Sequence, residues 1–252
     1  MDLMLAGDVH GDLNHWQVLT GACRRFGVNR IFQLGDFGYF DHLGSHRGNM
    51  DKISKIARRN DVDIYWIDGN HDNHPLLWEL YTEEDDEGFI VVRDNIRYSP
   101  RGHHWEWDGV KFVSVGGAYS IDKDYRHPGV SWWDTEMITD ADVEKAIAGG
   151  KVDVALFHDA PRHVDLAQYF YVRGTNAMYK QDRNSLLNRD RVHDVVVECE
   201  PRYIWHGHMH LRYMDDRFHI GGHPVRTEGL GMNGSGPDSY RLISLDDGKV
   251  II

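Results

Sequence analysis

Leu3-Met4-Leu5-Ala6-Gly7-Asp8-Val9-His10 opens with four apolar residues, turns at a glycine, and then presents a carboxylate and an imidazole two positions apart. A short apolar run bounded by a turn signal reads as a buried strand. The same pattern recurs along the chain. Ile31 to Leu34 leads into Gly35-Asp36, and Ile64 to Ile67 into Gly69-Asn70-His71-Asp72. Val154 to Phe157 leads into His158-Asp159, and Tyr203 to Trp205 into Gly207-His208-Met209-His210. Carboxylates, a carboxamide and neutral imidazoles bind hard and borderline divalent cations. Seven such groups exceed the needs of one ion. They suit two ions sharing a carboxylate, an arrangement for phosphoester hydrolysis.

Between these clusters, Leu13 to Phe26 carries apolar residues at helical spacing and stops at Gly27, and Met50 to Asn60 reads as a second helix. The order β-α-β-α-β implies right-handed crossovers and a largely parallel sheet. The middle is strand-rich. His103 to Trp107 and Val110 to Val115 form a predicted hairpin around Asp108-Gly109, and Tyr240 to Ile252 another around Asp247-Gly248. Thr135 to Ala148 reads as a helix ended by Gly149-Gly150. The polar segment 164–198 is too long for a plain connection and is expected to be a helical insertion or lid. In an open α/β sheet, ligands sit beyond the carboxyl ends of the strands. The five clusters are therefore expected to converge at one sheet edge, within a single domain spanning 1–252.

Net charge is −12, which disfavours nucleic acid as a partner because nonspecific binding needs a basic surface. A phosphate substrate stays open, since bound metals supply positive charge that the count omits. Cys23 and Cys199 are far apart and imply neither a disulfide framework nor a thiolate metal site. No apolar run approaches a membrane span, and no signal peptide precedes the first strand. The expected setting is soluble, reducing and cytoplasmic.

DxH, GD, GNHD, a lone His after a strand and GHxH, in that order from Asp8 to His210, resemble the calcineurin-like metallophosphoesterases. The stretch Gly116 to Asp122, with Trp132-Trp133 and Glu136, is similar to a bacterial and phage-associated branch, so the host cytoplasm of a phage is one expected location. The resemblance implies an α/β fold, a four-layer αββα sandwich of two mixed sheets flanked by helices. It implies one metal held by Asp8, His10, Asp36 and His210, and a second by Asp36, Asn70, His158 and His208. Asp36 would bridge them, offsetting the repulsion of dications about 3.5–4 Å apart. Two Mn²⁺ ions are the expectation, with Fe, Zn, Ni or Mg as alternatives. A hydroxide between the ions would attack phosphorus in line with the leaving oxygen. His71 would serve as donor to the leaving alkoxide or to a phosphate oxygen, with Asp72 orienting it and Asn70 also touching substrate.

One departure separates this chain from the family's protein Ser/Thr phosphatases, which carry GDxxDRG. Here Gly35-Asp36-Phe37-Gly38-Tyr39-Phe40-Asp41 has neither the paired Asp nor the phosphate-gripping Arg. A phosphomonoester dianion gains most from a bidentate Arg. The expected substrate is therefore a phosphodiester, a cyclic nucleotide or small nucleotide diester. Arg126, Lys123 or Arg173 could supply a replacement cation, with Arg126 the expected substrate contact. A phosphomonoesterase is the alternative, followed by a nuclease and a non-catalytic protein-binding scaffold. An assembly of identical chains is left open. Of the remaining histidines, His15, His42, His46, His74, His127 and His193 are expected at the surface. His219 or His223 is expected to border the cleft less often than not, and Trp132-Trp133 to pack rather than stack on a base.

Overall fold

The computed structural model describes the backbone of residues 1–38, 45–172 and 182–252, and the side chains of the same ranges apart from 45–48 and 172. Tyr39, Phe40, Asp41, His42 and Arg173, and the side chain of His46, lie outside the described residues.

The chain runs β1 (Asp2–Ala6), α1 (Leu13–Phe26), β2 (Arg30–Gln33), α2 (Ser45–Arg58), β3 (Asp63–Trp66), α3 (His74–Leu80), β4 (Ile90–Arg93) and β5 (Ile96–Tyr98). It continues through β6 (His103–Trp107), β7 (Val110–Val115), α4 (Asp140–Ala148), β8 (Val154–Phe157), α5 (Leu166–Val172), α6 (Arg183–Cys199) and β9 (Tyr203–His206). The last third holds β10 (Tyr213–Asp215), β11 (His219–Ile220), β12 (His223–Pro224), β13 (Arg226–Gly229), β14 (Tyr240–Asp246) and β15 (Lys249–Ile251). Two large sheets result, ordered β15-β14-β1-β2-β3-β5-β4 and β10-β13-β9-β8-β7-β6.

Alternation along the strands divides the core into layers. Leu3 and Leu5 of β1, with Phe32, Leu34, Tyr65 and Ile67, face Trp105, Phe112, Val154, Leu156 and Trp205 of the other sheet. Met4 and Ala6 face outward onto Trp16, Leu19 and Cys23 of α1 and Ile53 and Ala57 of α2. Beyond the second sheet, Val113, Ala155 and Ile204 pack on Val143 and Ala146 of α4 and Val192, Val195 and Val196 of α6. Helix, sheet, sheet and helix are thus stacked as expected. β1, β2 and β3 run parallel, as do β7, β8 and β9. Both expected hairpins form, β6 with β7 and β14 with β15.

Two expectations need correction. The helix predicted from Thr135 starts at Asp140. Thr139 and Asp142 close a capping box there, with the Asp142 amide on the Thr139 hydroxyl and the Thr139 amide on the Asp142 carboxylate. The second half of the segment 164–198 is α6, whose apolar face is part of the outer core. His15 and His74 are buried rather than exposed: His15 lies in the first turn of α1, and His74 opens α3 with Nε2 2.8 Å from the Gly69 carbonyl oxygen. Among the described residues no helix is long and apolar enough to cross a membrane. Both cysteines are free and buried.

His74 has no exposed surface, and burial, aided by Arg101 and opposed by Asp68, pulls its pKa down to about 4. Burial likewise depresses His103 to about 4 and His163 to about 3. An unfolded histidine titrates near pH 6.5. The unfolded chain therefore binds protons first, so this stability is intact above pH 6.5 and lost as the pH falls towards 4. For His74 the loss is on the order of 3 kcal/mol. Urea unfolding midpoints should fall between pH 7 and 4.5, and less steeply in His74→Gln; an unchanged slope in that variant would contradict the assignment.

Candidate metal centre

Each expected ligand follows a parallel strand. Asp8 and His10 leave β1, Asp36 leaves β2, and Asn70 leaves β3. From the facing sheet, His158 leaves β8, and His208 and His210 leave β9. The parallel pairing aligns the carboxyl ends, so the loops meet at one rim of the sandwich.

Two groups of side chains converge there. Ligand-capable atoms of Asp8, His10, Asp36 and His210 lie within 4.8 Å of one another, as do those of Asp36, His158 and His208. Asp36 belongs to both. Its Oδ2 is 3.5 Å from His10 Nε2, and its Oδ1 is 3.5 Å from His158 Nε2. His210 Nε2 is 3.0 Å from Asp8 Oδ2. Asn70 Oδ1 lies 3.1 Å from His158 Nε2 and joins the second group. Asp8, Asn70 and His158 are buried, whereas His210 is exposed and His10 partly so. The first group therefore forms the open side of the cleft.

The loops reach these positions through uncommon backbone. His10, Asp36, His208 and His210 have φ of 50°, 52°, 59° and 52°. Left-handed conformations cost a non-glycine residue roughly 1–3 kcal/mol each and persist only where the surroundings enforce them. The preceding glycines answer a different need. A Cβ on Gly69 would stand 2.2 Å from Asp36 Oδ1, and one on Gly207 2.2 Å from Asp8 Oδ1. Any larger residue would push these carboxylates out of the cleft.

The electrostatics fit a cation. Asp36 is 1% exposed, and its Oδ2 is buried without a hydrogen-bond partner. Such an atom is costly unless a positive group compensates it. Burial alone would raise the Asp36 carboxyl, but His71, His158 and His10 outweigh it and hold the group well below the usual range. Burial pulls His10 down, yet Asp36, Asp8 and Asn233 together push it up to about 9. Protons thus answer the negative charge where a metal could. His158 Nδ1 lies 2.7 Å from the Leu34 carbonyl oxygen, which suits it as donor, and Nε2, once it gives up its proton, turns a lone pair towards Asp36 and Asn70. This tautomer is the one a metal ligand uses.

His71 stands beside this centre. Its amide donates to Asp36 Oδ1 at 2.8 Å, and its Nε2 is 4.0 Å from Asp36 Oδ2. Burial lowers its pKa, with Asp36 working against this. Arg126 lies against it, with Nη1 2.9 Å from Nδ1 and Nη2 2.5 Å from Nε2, while Arg126 Nε pairs with Asp122 at 2.8 Å. Lys123 is directed elsewhere, its Nζ 5.6 Å from the ring centres of Tyr119 and Trp132. Trp133 is buried and meets His74 edge to face, so it packs as expected. His219 and His223 sit on the β11–β12 hairpin, whose Ile220 packs on the outer helical core.

The Asp72 carboxylate bridges two loops of the centre. It accepts from the amides of Phe37 at 3.2 Å, Gly38 at 3.1 Å and Gly69 at 2.9 Å. It thereby ties the Asp36 loop to the Asn70 loop. Sequence reading gave no role to Asn233. Its Oδ1 is 3.0 Å from His10 Nδ1, its Nδ2 donates to Asp12 Oδ2 at 3.2 Å, and its amide donates to the Asp8 carbonyl at 2.7 Å. Its one visible signal was to be the sole Asn in the glycine-rich run Gly229 to Gly236.

The family model for calcineurin-like phosphoesterases matches residues 1–212. A crystal structure of TT1561 from Thermus thermophilus aligns with 99% of this chain and 96% of its own, at TM-score 0.55 and 13% identity. A dimetal phosphatase from Danio rerio aligns over 98% and 93%, also at TM-score 0.55 and 13% identity. At such identity the likeness concerns the fold. No curated protein sequence matches.

Asp72→Asn removes charge-assisted bonds to buried amides, each worth about 1.5–3 kcal/mol. Thermal unfolding of the metal-free protein should shift down by several degrees. An unchanged melt with lowered turnover would instead favour a role confined to orienting His71.

Proposed function

The chain belongs to the calcineurin-like phosphoesterase family and is a metal-dependent hydrolase of phosphoester bonds, and from that premise we propose that it is a phosphodiesterase acting on cyclic nucleotides or small nucleotide diesters. The family implies a dimetal centre, and the Asp/His cluster is able to bind metal. In this reading Asp8, His10, Asp36 and His210 hold one ion, and Asp36, Asn70, His158 and His208 the other. Mn²⁺ is the proposed metal. When bound, two such ions lower the pKa of water and neutralise phosphoryl charge.

The residues of this chain supply the rest. Asp36 presents one carboxylate oxygen to each ligand group. His71, when protonated on the ring nitrogen facing the cleft, can pass that proton to a leaving alkoxide and is left as the neutral imidazole. Arg126, against that ring, can hold a phosphoryl oxygen.

The observation that carries the diester preference is the state of Arg126. Its Nε is committed to Asp122, and its two terminal nitrogens are turned onto His71. A dianionic monoester is best held by a bidentate guanidinium whose charge is free. Here Asp122 offsets that charge, and a diester, with one negative charge, demands less of it. Arg126 also supports the second reading, since it brings an arginine beside His71 in a chain that lacks the phosphate-gripping Arg of the GDxxDRG motif. A phosphomonoesterase would then result if Arg126 left Asp122 on binding substrate.

With Mn²⁺ added, kcat/KM on bis-p-nitrophenyl phosphate should exceed that on p-nitrophenyl phosphate about tenfold or more; the reverse order would select the monoesterase. Asp36→Asn should lose bound metal and nearly all turnover, and full activity with two ions bound would reject the ligand assignment. His71→Asn should lower kcat by roughly 10²–10⁴ with metal content near two per chain.

A further inference from the structure

A carboxamide is a metal ligand only through its oxygen, and its two ends are nearly isosteric. Something must decide which end of Asn70 faces the cleft. Asn70 Nδ2 is 2.9 Å from Ser120 Oγ. Ser120 Oγ is 2.5 Å from Glu136 Oε2, and the Ser120 amide donates to Glu136 Oε1 at 3.0 Å. Asn70, Ser120 and Glu136 are 2%, 1% and 1% exposed, so water does not compete for these groups.

The donor sense of the chain follows from the carboxylate at its end. Burial pushes the Glu136 pKa up, but the Ser120 hydroxyl and amide both donate to this carboxyl and favour its charged form, and an ionised carboxylate only accepts. The Ser120 hydroxyl must therefore spend its one hydrogen on Glu136, which leaves its lone pairs towards Asn70. Only the NH₂ end of Asn70 can satisfy them. A flipped amide would place Oδ1 against an oxygen with no hydrogen to give, inside a dry pocket where an unsatisfied pair is costly. Oδ1 is thus directed at His158 Nε2, 3.1 Å away.

The backbone around Glu136 makes this anchor stiff. The Glu136 carbonyl accepts from the Ala118 amide at 3.0 Å, and its amide donates to the Trp133 carbonyl at 3.2 Å. Ser120 and Glu136 lie outside all five ligand clusters in the sequence. Neither belongs to the two groups of metal-capable side chains.

We propose that Ser120 and Glu136 are positioning residues that lock the polarity of the Asn70 amide, and so set the affinity of the ion site shared by Asp36, Asn70, His158 and His208 independently of the other site. This rests on Asn70 being a ligand, as in the functional reading above. Hydrogen-bond partners behind a ligand typically contribute 10–100-fold to metal affinity. The first site has its own support in Asn233 behind His10, so a defect at Ser120 is confined to one ion.

The test is a Mn²⁺ titration of the metal-free full chain by calorimetry, with wild type, Ser120→Ala and Glu136→Gln in parallel, and thermal melts of each. Wild type should take up two ions. Ser120→Ala should bind one ion as wild type does and the other roughly 10–100-fold more weakly, with turnover returning at high Mn²⁺. Glu136→Gln keeps the shape of the side chain but loses one acceptor oxygen; it should show a smaller loss at the same ion and serves if Ser120→Ala does not fold. Two unchanged affinities in a folded variant would overturn the relay. So would equal weakening of both ions, which marks a mere staple between loops. Wild type binding fewer than two ions would instead overturn the dimetal reading beneath it.

Discussion

Two carboxylates, Asp8 and Asp36, are buried in one pocket, and the second keeps an oxygen with no hydrogen-bond partner. Like charges taken out of water repel each other and lose their hydration. Much of the architecture around them serves to make this tolerable. Imidazoles from both sheets ring the pair, and burial, charge and hydrogen bonding set them to different proton affinities. His10 is pushed up to about 9, whereas burial and the neighbouring His158 hold His208 well below its ordinary value. A pocket with this balance attracts cations, and the division into two groups meeting at Asp36 gives places for a pair.

The sandwich supplies the geometry. Parallel strands within each sheet bring their carboxyl ends to one rim, and the inner apolar layer holds the sheets so that loops from both can meet. Local strain is concentrated there. Four residues of the centre adopt left-handed backbone, and Gly69 and Gly207, beside Asn70 and His208, allow the Asp36 and Asp8 carboxylates to come within contact distance. Hydrogen bonds then fix what strain alone would leave loose: Asp72 joins two loops, Asn233 orients His10, and Ser120 with Glu136 orients Asn70. The buried Asp68–Arg101 pair, with Tyr98 on the same carboxylate, secures the end of β3 just before the Asn70 loop.

On the open side of the cleft His71, His10 and His210 retain exposure. The cation beside them is Arg126, partly neutralised by Asp122. The net charge of −12 makes a local balance of this kind more informative than the surface as a whole.

The sequence alone determined the strands, their parallel start and the seven ligand-capable residues. Apolar runs that end in Asp, Asn or His can be read locally, because strand burial and ligand chemistry are both properties of short segments. The capping box that sets the start of α4 is also written locally, in Thr139 to Asp142. What only the tertiary structure decided is which groups stand behind the ligands. The Asp72 carboxylate serves amides 34 and 35 residues away. Asn233 reaches His10 across 223 residues, and Ser120 reaches Asn70 across 50. A hydrogen bond needs atoms about 3 Å apart, and a sequence carries no record of which distant side chains the packing of two sheets brings that close.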